Sequence, residues 1–123
     1  MPAQKSTPDA LKDRLSRYRE ITLTVTGRKS GRSLSRPVWF VYEEPTLYLL
    51  PVQGSDTEWY KNLLKKPTIR IDARGEECEF KAVPVADTSR VKEVVEKFRA
   101  KYGAGDVNKY YSKFDVAVDV NLR

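Results

Sequence analysis

Apolar residues recur along the whole chain in short, regular patterns. Ile21, Leu23 and Val25 alternate with Thr22, Thr24 and Thr26, the period of two that a strand shows when one face is buried. A turn over Gly27 to Ser33 leads into a nearly continuous apolar run from Leu34 to Tyr42. Leu47 to Val52 follow after a second turn at Glu43-Glu44-Pro45, so the spacing predicts three sequential strands. Ile69 and Ile71 alternate with Thr68, Arg70 and Asp72, and Gly75 separates them from Cys78, Phe80 and Val83 to Val85. That is the pattern of a hairpin. Phe114, Val116, Val118 and Val120 alternate with Asp115 and Asp119 as a last strand.

Three stretches carry the helical period instead. Thr7 and Pro8 read as a cap and first helical residue, with Ala10, Leu11, Leu15 and Tyr18 on one face. Ser55 and Glu58 have the spacing of a capping box and open a helix bearing Trp59, Tyr60, Leu63 and Leu64, which Pro67 ends. Asp87 or Thr88 begins a helix with Val91, Val94, Val95, Phe98 and Tyr102 on one stripe, closed by Gly103. A short segment through Val107, Tyr110 and Tyr111 follows it. No strand–helix–strand rhythm calls for a parallel sheet. The expected fold is α+β and mainly antiparallel: one domain over residues 1–123, a six-stranded barrel with three to four flanking helices, and a flexible tail at 1–6.

Composition narrows the chemistry. The chain has 123 residues, 40% hydrophobic and 33% charged, which suits one soluble domain. The longest apolar run is far too short to span a bilayer, and the opening residues have no signal-peptide core, so a cytoplasmic protein is expected. The absence of histidine removes Ser-His-Asp and Cys-His catalysis and leaves a metal few ligands, so no metal site is expected. Cys78 alternates with charged residues as a half-buried structural thiol would. Any redox chemistry falls to a bound cofactor.

The net charge of +6 points to an anionic partner, and its distribution is uneven. Between Ile21 and Tyr42 there is no acidic residue, while Arg28, Lys29, Arg32 and Arg36 cluster around one hairpin. In Gly27-Arg28-Lys29-Ser30-Gly31, two glycines able to take positive φ would let backbone N–H groups converge on an anion that Arg28 and Lys29 neutralise. It is not a Walker loop, since a strand follows where a helix is needed. The bland alternative is a solvated basic turn. Nucleic-acid binding, suggested by basic residues beside Trp39 and Tyr42, is not expected, because the basic cluster sits on a glycine-bounded turn.

Thr24-Val25-Thr26-Gly27-Arg28-Lys29-Ser30-Gly31, then Arg36-Pro37-Val38-Trp39-Phe40, then Trp59-Tyr60-Lys61-Asn62-Leu63 and Pro67 together resemble the deazaflavin (coenzyme F420)-dependent nitroreductase and quinone reductase family. The resemblance implies a split β-barrel related to pyridoxamine phosphate oxidase-like flavoproteins. It also implies hydride transfer from reduced F420 to a small-molecule acceptor, a quinone or nitroaromatic. By the same resemblance, Arg28 and Lys29 hold the coenzyme phosphate, Pro37 lies against the ring system, and Trp59 and Asn62 line the cofactor. Gly27, Ser30, Gly31 and Arg36 complete the cofactor-binding set. Tyr110 and Tyr111 fall where the family places aromatic residues over the substrate face, and are the catalytic candidates. Related split barrels are usually dimers, so a homodimer is expected.

The chain departs from the family pattern at two points. Val52-Gln53-Gly54-Ser55 stands where many members have a Ser-Lys-Gly-Gly-like stretch, and Leu34 replaces an arginine expected in the second strand. These departures keep flavin mononucleotide (FMN) open as the alternative cofactor. They also keep open a second role, that of a non-catalytic carrier of flavin, haem or lipid.

Overall fold

The computed structural model describes residues 8–122, so the expected cap at Thr7 and the tail at 1–6 lie outside the described residues. Four helices and seven strands follow in the order α1 Pro8–Leu15, β1 Glu20–Thr26, β2 Ser33–Trp39, β3 Val41–Glu43, β4 Thr46–Leu49, α2 Glu58–Lys65, β5 Thr68–Ala73, β6 Glu76–Val85, α3 Thr88–Tyr102, α4 Ala104–Tyr110 and β7 Ala117–Asn121. All pairings between strands are antiparallel.

The strands form one sheet in the order β2-β1-β5-β6-β7-β4-β3. Its two edge strands, β2 and β3, are consecutive in the chain and separated by Phe40 alone. A single residue cannot bridge the ends of a flat seven-stranded sheet, so the sheet must curl until its edges meet. The result is a barrel split between β2 and β3. Strand β6 serves both halves: Glu76 to Lys81 pair with β5, and Ala82 to Val85 pair with β7.

The count of seven corrects the expected six. The apolar run Leu34 to Tyr42 breaks at Phe40, whose ring is fully buried and whose backbone N–H donates to the Tyr102 hydroxyl (3.1 Å). The single proton of that hydroxyl lies within reach of both the Phe40 carbonyl at 2.7 Å and the Arg19 carbonyl at 2.6 Å. A side chain thus replaces the ladder for one residue. The third strand also ends earlier than expected, at Leu49, and the last begins later, at Ala117.

Alternation along β1 and β5 sends Ile21, Leu23, Val25, Ile69 and Ile71 into the barrel, where they meet Leu47, Leu49, Val118 and Val120. A second apolar cluster under α3 and α4 contains Val91, Val94, Val95, Phe98, Tyr102, Val107 and Tyr111. Helix α3 begins and ends as expected. Asp87 accepts the Ser89 N–H, and Gly103 closes the helix at φ 95°.

The capping box does not form. Helix α2 begins at Glu58 after Thr57, and Ser55 lies in a 3-10 turn, Gly54–Asp56. Asp115 is the cause: its carboxylate accepts the Ser55 N–H at 2.9 Å and hydroxyl at 2.6 Å. The Thr57 hydroxyl accepts the Gln53 N–H at 2.7 Å instead of capping the helix.

Candidate functional site

Strand β2 hydrogen-bonds on one side only and is exposed over Ser33 to Pro37. Helix α2 packs beside it across β1 with Trp59, Tyr60, Asn62 and Leu63 buried. A cleft lies between them. Its wider part, about 590 Å³, is walled by Pro37, Trp39, Trp59, Val52, Gln53, Tyr110 and Tyr111. A narrower part of about 280 Å³ is lined by Leu34, Ser35 and Asn62. Arg36, Pro37, Glu58 and Trp59 line both parts.

Trp59 is therefore at once a core residue and a cleft wall. Trp39 joins the cleft to the second core cluster, stacking on Tyr102 at 4.3 Å and 7° and meeting the Tyr110 edge at 5.7 Å and 81°. Tyr110 is exposed, while Tyr111 is buried. Burial, reinforced by Tyr102, raises the Tyr111 pKa and keeps its hydroxyl protonated.

The basic hairpin stands at the Asn62 end. Its tip is tight: the Gly27 N–H donates to the Arg32 carbonyl at 2.8 Å and the Gly31 N–H to the Gly27 carbonyl at 3.0 Å. Only Gly31 takes positive φ, at 71°, so the expectation of two left-handed glycines holds for one. Gly27 is needed for space, since a Cβ there would meet Ser30 Oγ at 2.7 Å. The N–H groups of Gly27, Arg28, Gly31 and Arg32 all have partners inside the protein. A converging nest of free amides is absent at these four positions. The positive charge here comes from the side chains of Arg28, Lys29 and Arg36.

Those side chains divide into two sets. Arg28 is engaged: its backbone N–H and Nη1 donate to Asn62 Oδ1 at 3.1 and 2.8 Å, and Nη2 donates to Glu58 Oε1 at 2.9 Å. Lys65 Nζ adds a bond to the Arg28 carbonyl at 3.1 Å. Lys29 and Arg36 are exposed, and neither makes an ion pair among the described residues. Because Arg28 can only donate, its bonds fix the orientation of the Asn62 amide. Asn62 Nδ2 then has no hydrogen-bond partner among the described residues, although the side chain is only 4% exposed and lines the cleft.

Sequence reasoning missed Asp115, Lys113 and Glu58. Beyond its bonds to Ser55, Asp115 lies 3.7 Å from Lys113, which also pairs with Asp56 at 3.1 Å. Together with the Ser112 N–H bond to the Val52 carbonyl, they fasten the cleft floor to the segment that carries Tyr110 and Tyr111. Gly54, at φ 56°, admits this contact, since a Cβ there would sit 2.1 Å from Asp115 Oδ1. The signal lay at Ser55, which with Glu58 read as a capping box.

Asn62, Trp59 and an open edge strand thus line a cleft on a split barrel, with Arg28 on a tight hairpin beside it. The F420H(2)-dependent quinone reductase family model matches residues 3–122, and the chain belongs to that family. No curated protein gives a significant match. Among solved structures, an F420-H2 dependent reductase (FDR-A) is 18% identical with a TM-score of 0.65, covering 84% of this chain and 94% of its own. A pyridoxamine 5′-phosphate oxidase-like protein from Listeria innocua is 15% identical with a TM-score of 0.67, over 92% and 90%. A structure described as a domain-swapped dimer is 18% identical with a TM-score of 0.66, over 84% and 80%. These likenesses show the split-barrel fold. No helix among the described residues is long and apolar enough to cross a membrane.

Proposed function

We propose that the protein is an F420-dependent reductase that passes hydride to a small electron-poor acceptor, a quinone or nitroaromatic, in the cytoplasm. The observation that carries this reading is the shape and polarity of the cleft. Its middle is apolar and aromatic, between Pro37 and Trp59, its narrow end offers Asn62 Nδ2, and Arg36 lines both parts. A planar ring with a phosphate-bearing side chain matches that order, and these residues fit reduced F420.

When bound, the deazaflavin supplies the hydride. The chain's own residues do the rest. Pro37 and Trp59 would hold the ring between strand and helix, with the buried Trp59 fixing the spacing. Asn62 Nδ2 would donate to an oxygen of the coenzyme. Lys29 and Arg36 neutralise the phosphate, with Gly27, Ser30 and Gly31 setting the hairpin that presents them and Arg28 tying it to α2. Tyr110, at the mouth beside Trp39, orients the acceptor oxygen and passes it a proton from bulk water. Tyr111 stays protonated beneath and sets the position of Trp39.

A homodimer is part of the proposal, supported by the related structure described as a domain-swapped dimer and by the exposed edge strand β2. The test is fluorescence titration of Lys29→Glu/Arg36→Glu with oxidised F420. Both residues are exposed, so melting should stay within about 2 °C. Coenzyme affinity should fall at least tenfold, and wild-type affinity in this variant would reduce the hairpin to a solvated turn.

A further inference from the structure

Charge is not spread evenly over the cleft walls. Arg36 and Glu58 line both parts, and among the described residues Glu20 is the one charged residue that lines the wide part alone. Glu58 already has cations at hand, since its Oε1 accepts from Arg28 Nη2 at 2.9 Å and its Oε2 lies 3.8 Å from Lys61 Nζ. Glu20 opens β1, is exposed and makes no ion pair among the described residues. Antiparallel pairing sets it directly opposite Trp39 on β2. Residues paired in this way project from the same face of a sheet, with Cβ atoms about 5 Å apart.

Three arginines stand near Glu20, and each is engaged elsewhere. They are Arg17, Arg19 and Arg74, which share with Glu20 the wall of a second cavity of about 690 Å³. Arg17 pairs with Asp13 at 3.4 Å, and Arg74 lies over the Tyr18 ring at 4.7 Å. Arg19 donates to the Lys101 carbonyl at 3.3 Å, with its guanidinium 5.0 Å from the Tyr102 ring centre. On the cleft side the neighbours of Glu20 are aromatic: Trp39 and the exposed Tyr110, 5.7 Å apart, both line the wide part. Such rings attract cations through their electron-rich faces, and a carboxylate beside them adds a full charge. Tyr110 already draws one cation. Lys109 Nζ lies 5.3 Å from its ring centre, although Lys109 does not line the cleft.

We infer that Glu20, Trp39 and Tyr110 form a cation-selecting rim at the mouth of the cleft, so that the preferred acceptors carry a positively charged substituent, a quaternary ammonium or a protonated amine, on an electron-poor ring. The inference rests on reading the cleft as the site of hydride transfer to such an acceptor. It makes Glu20 a specificity-determining residue. The molecule's net charge of +6 by itself draws anions. At the mouth the unpaired carboxylate decides, because salt screens the more distant charges.

Three acceptors with one ring and different charges provide the test: para-nitrobenzyltrimethylammonium, para-nitrobenzyl alcohol and para-nitrophenylacetate. In each a methylene insulates the nitro ring from the substituent. Their kcat/KM values are measured with reduced F420 for wild type and Glu20→Gln, and the cation is titrated separately into both proteins without coenzyme, following the Trp39 indole N–H by NMR. The ratio of cation to alcohol should be about two- to five-fold higher in wild type than in E20Q, and the difference should shrink in about 0.5 M salt. The cation should also bind E20Q more weakly than wild type. The same ratio in both proteins, or a wild-type preference for the anion over the alcohol, would overturn the inference. Turnover with equal ratios would sink the Glu20 inference alone. If no acceptor turns over, the NMR arm decides: weaker cation binding by E20Q would sink the reductase reading alone, and equal binding would sink both.

Discussion

Replacing Tyr102 by Phe removes one oxygen atom from the junction that splits the barrel. That hydroxyl accepts the Phe40 N–H and shares its one proton between the carbonyls of Phe40 and Arg19. Phe40 is fully buried, so water cannot take over its N–H. Its carbonyl keeps a second donor, Lys101 Nζ at 2.7 Å, so the orphaned groups are the Phe40 N–H and the Arg19 carbonyl. An unsatisfied buried donor costs about 1–3 kcal/mol and a lost partly exposed bond about 1 kcal/mol, giving about 3 kcal/mol in all. For a domain of this size the melting temperature should fall by about 10 °C. The ring remains, and with it the Trp39 stack, so F420 affinity should change by less than about threefold. Urea denaturation with an unchanged m-value is the assay. A loss below about 0.5 kcal/mol would refute the reasoning, because it would mean that the Phe40 N–H finds another partner.

The two adjacent tyrosines should separate by assay. Tyr110→Phe should lower turnover of menadione or a nitroaromatic by about tenfold with little change in coenzyme affinity, whereas Tyr111→Phe should leave turnover near wild type; equal rates in both variants would remove the tyrosine hydroxyl from proton delivery. Stability should also vary with pH at the Lys101 site. Burial, with Arg19 nearby, lowers the Lys101 pKa to about 8. Between about pH 8 and 10 the unfolded chain therefore holds a proton that the folded chain has shed, and stability should rise with pH. Above about pH 10 the sign reverses. Burial pushes the Tyr102 pKa up to about 12 and raises that of Tyr111, so both stay protonated while unfolded tyrosines ionise. Chemical denaturation across about pH 7–11 should show the maximum, and Lys101→Met should remove the rising limb.

The sheet was legible where period and punctuation agree. The alternation of β1 and β5, the hairpin at Gly75 and the caps of α3 at Asp87 and Gly103 all lie within a few residues of the elements they specify. What local pattern could not show was set by residues far along the chain. The break at Phe40 depends on a hydroxyl 62 residues away. The failure of the capping box at Ser55 depends on a carboxylate 60 residues away. The site shows the same division. Arg28 and Asn62 both stood out by type and position, but only the fold reveals that they bind each other across 34 residues. This leaves Lys29, Arg32 and Arg36 as the freer cations, and Glu58, which read as part of a helix start, on the cleft wall.

F420 is assigned to a cleft whose apolar middle, Asn62 donor and Arg36 suit a deazaflavin ring and its side chain. The most direct test of that assignment is titration of the purified protein with oxidised F420 and, separately, with FMN, following ligand fluorescence and quenching of Trp59 against a Trp59→Phe control. F420 should bind at least tenfold more tightly than FMN, with quenching that Trp59→Phe diminishes. Equal or tighter binding of FMN would contradict the assignment of F420 to this cleft.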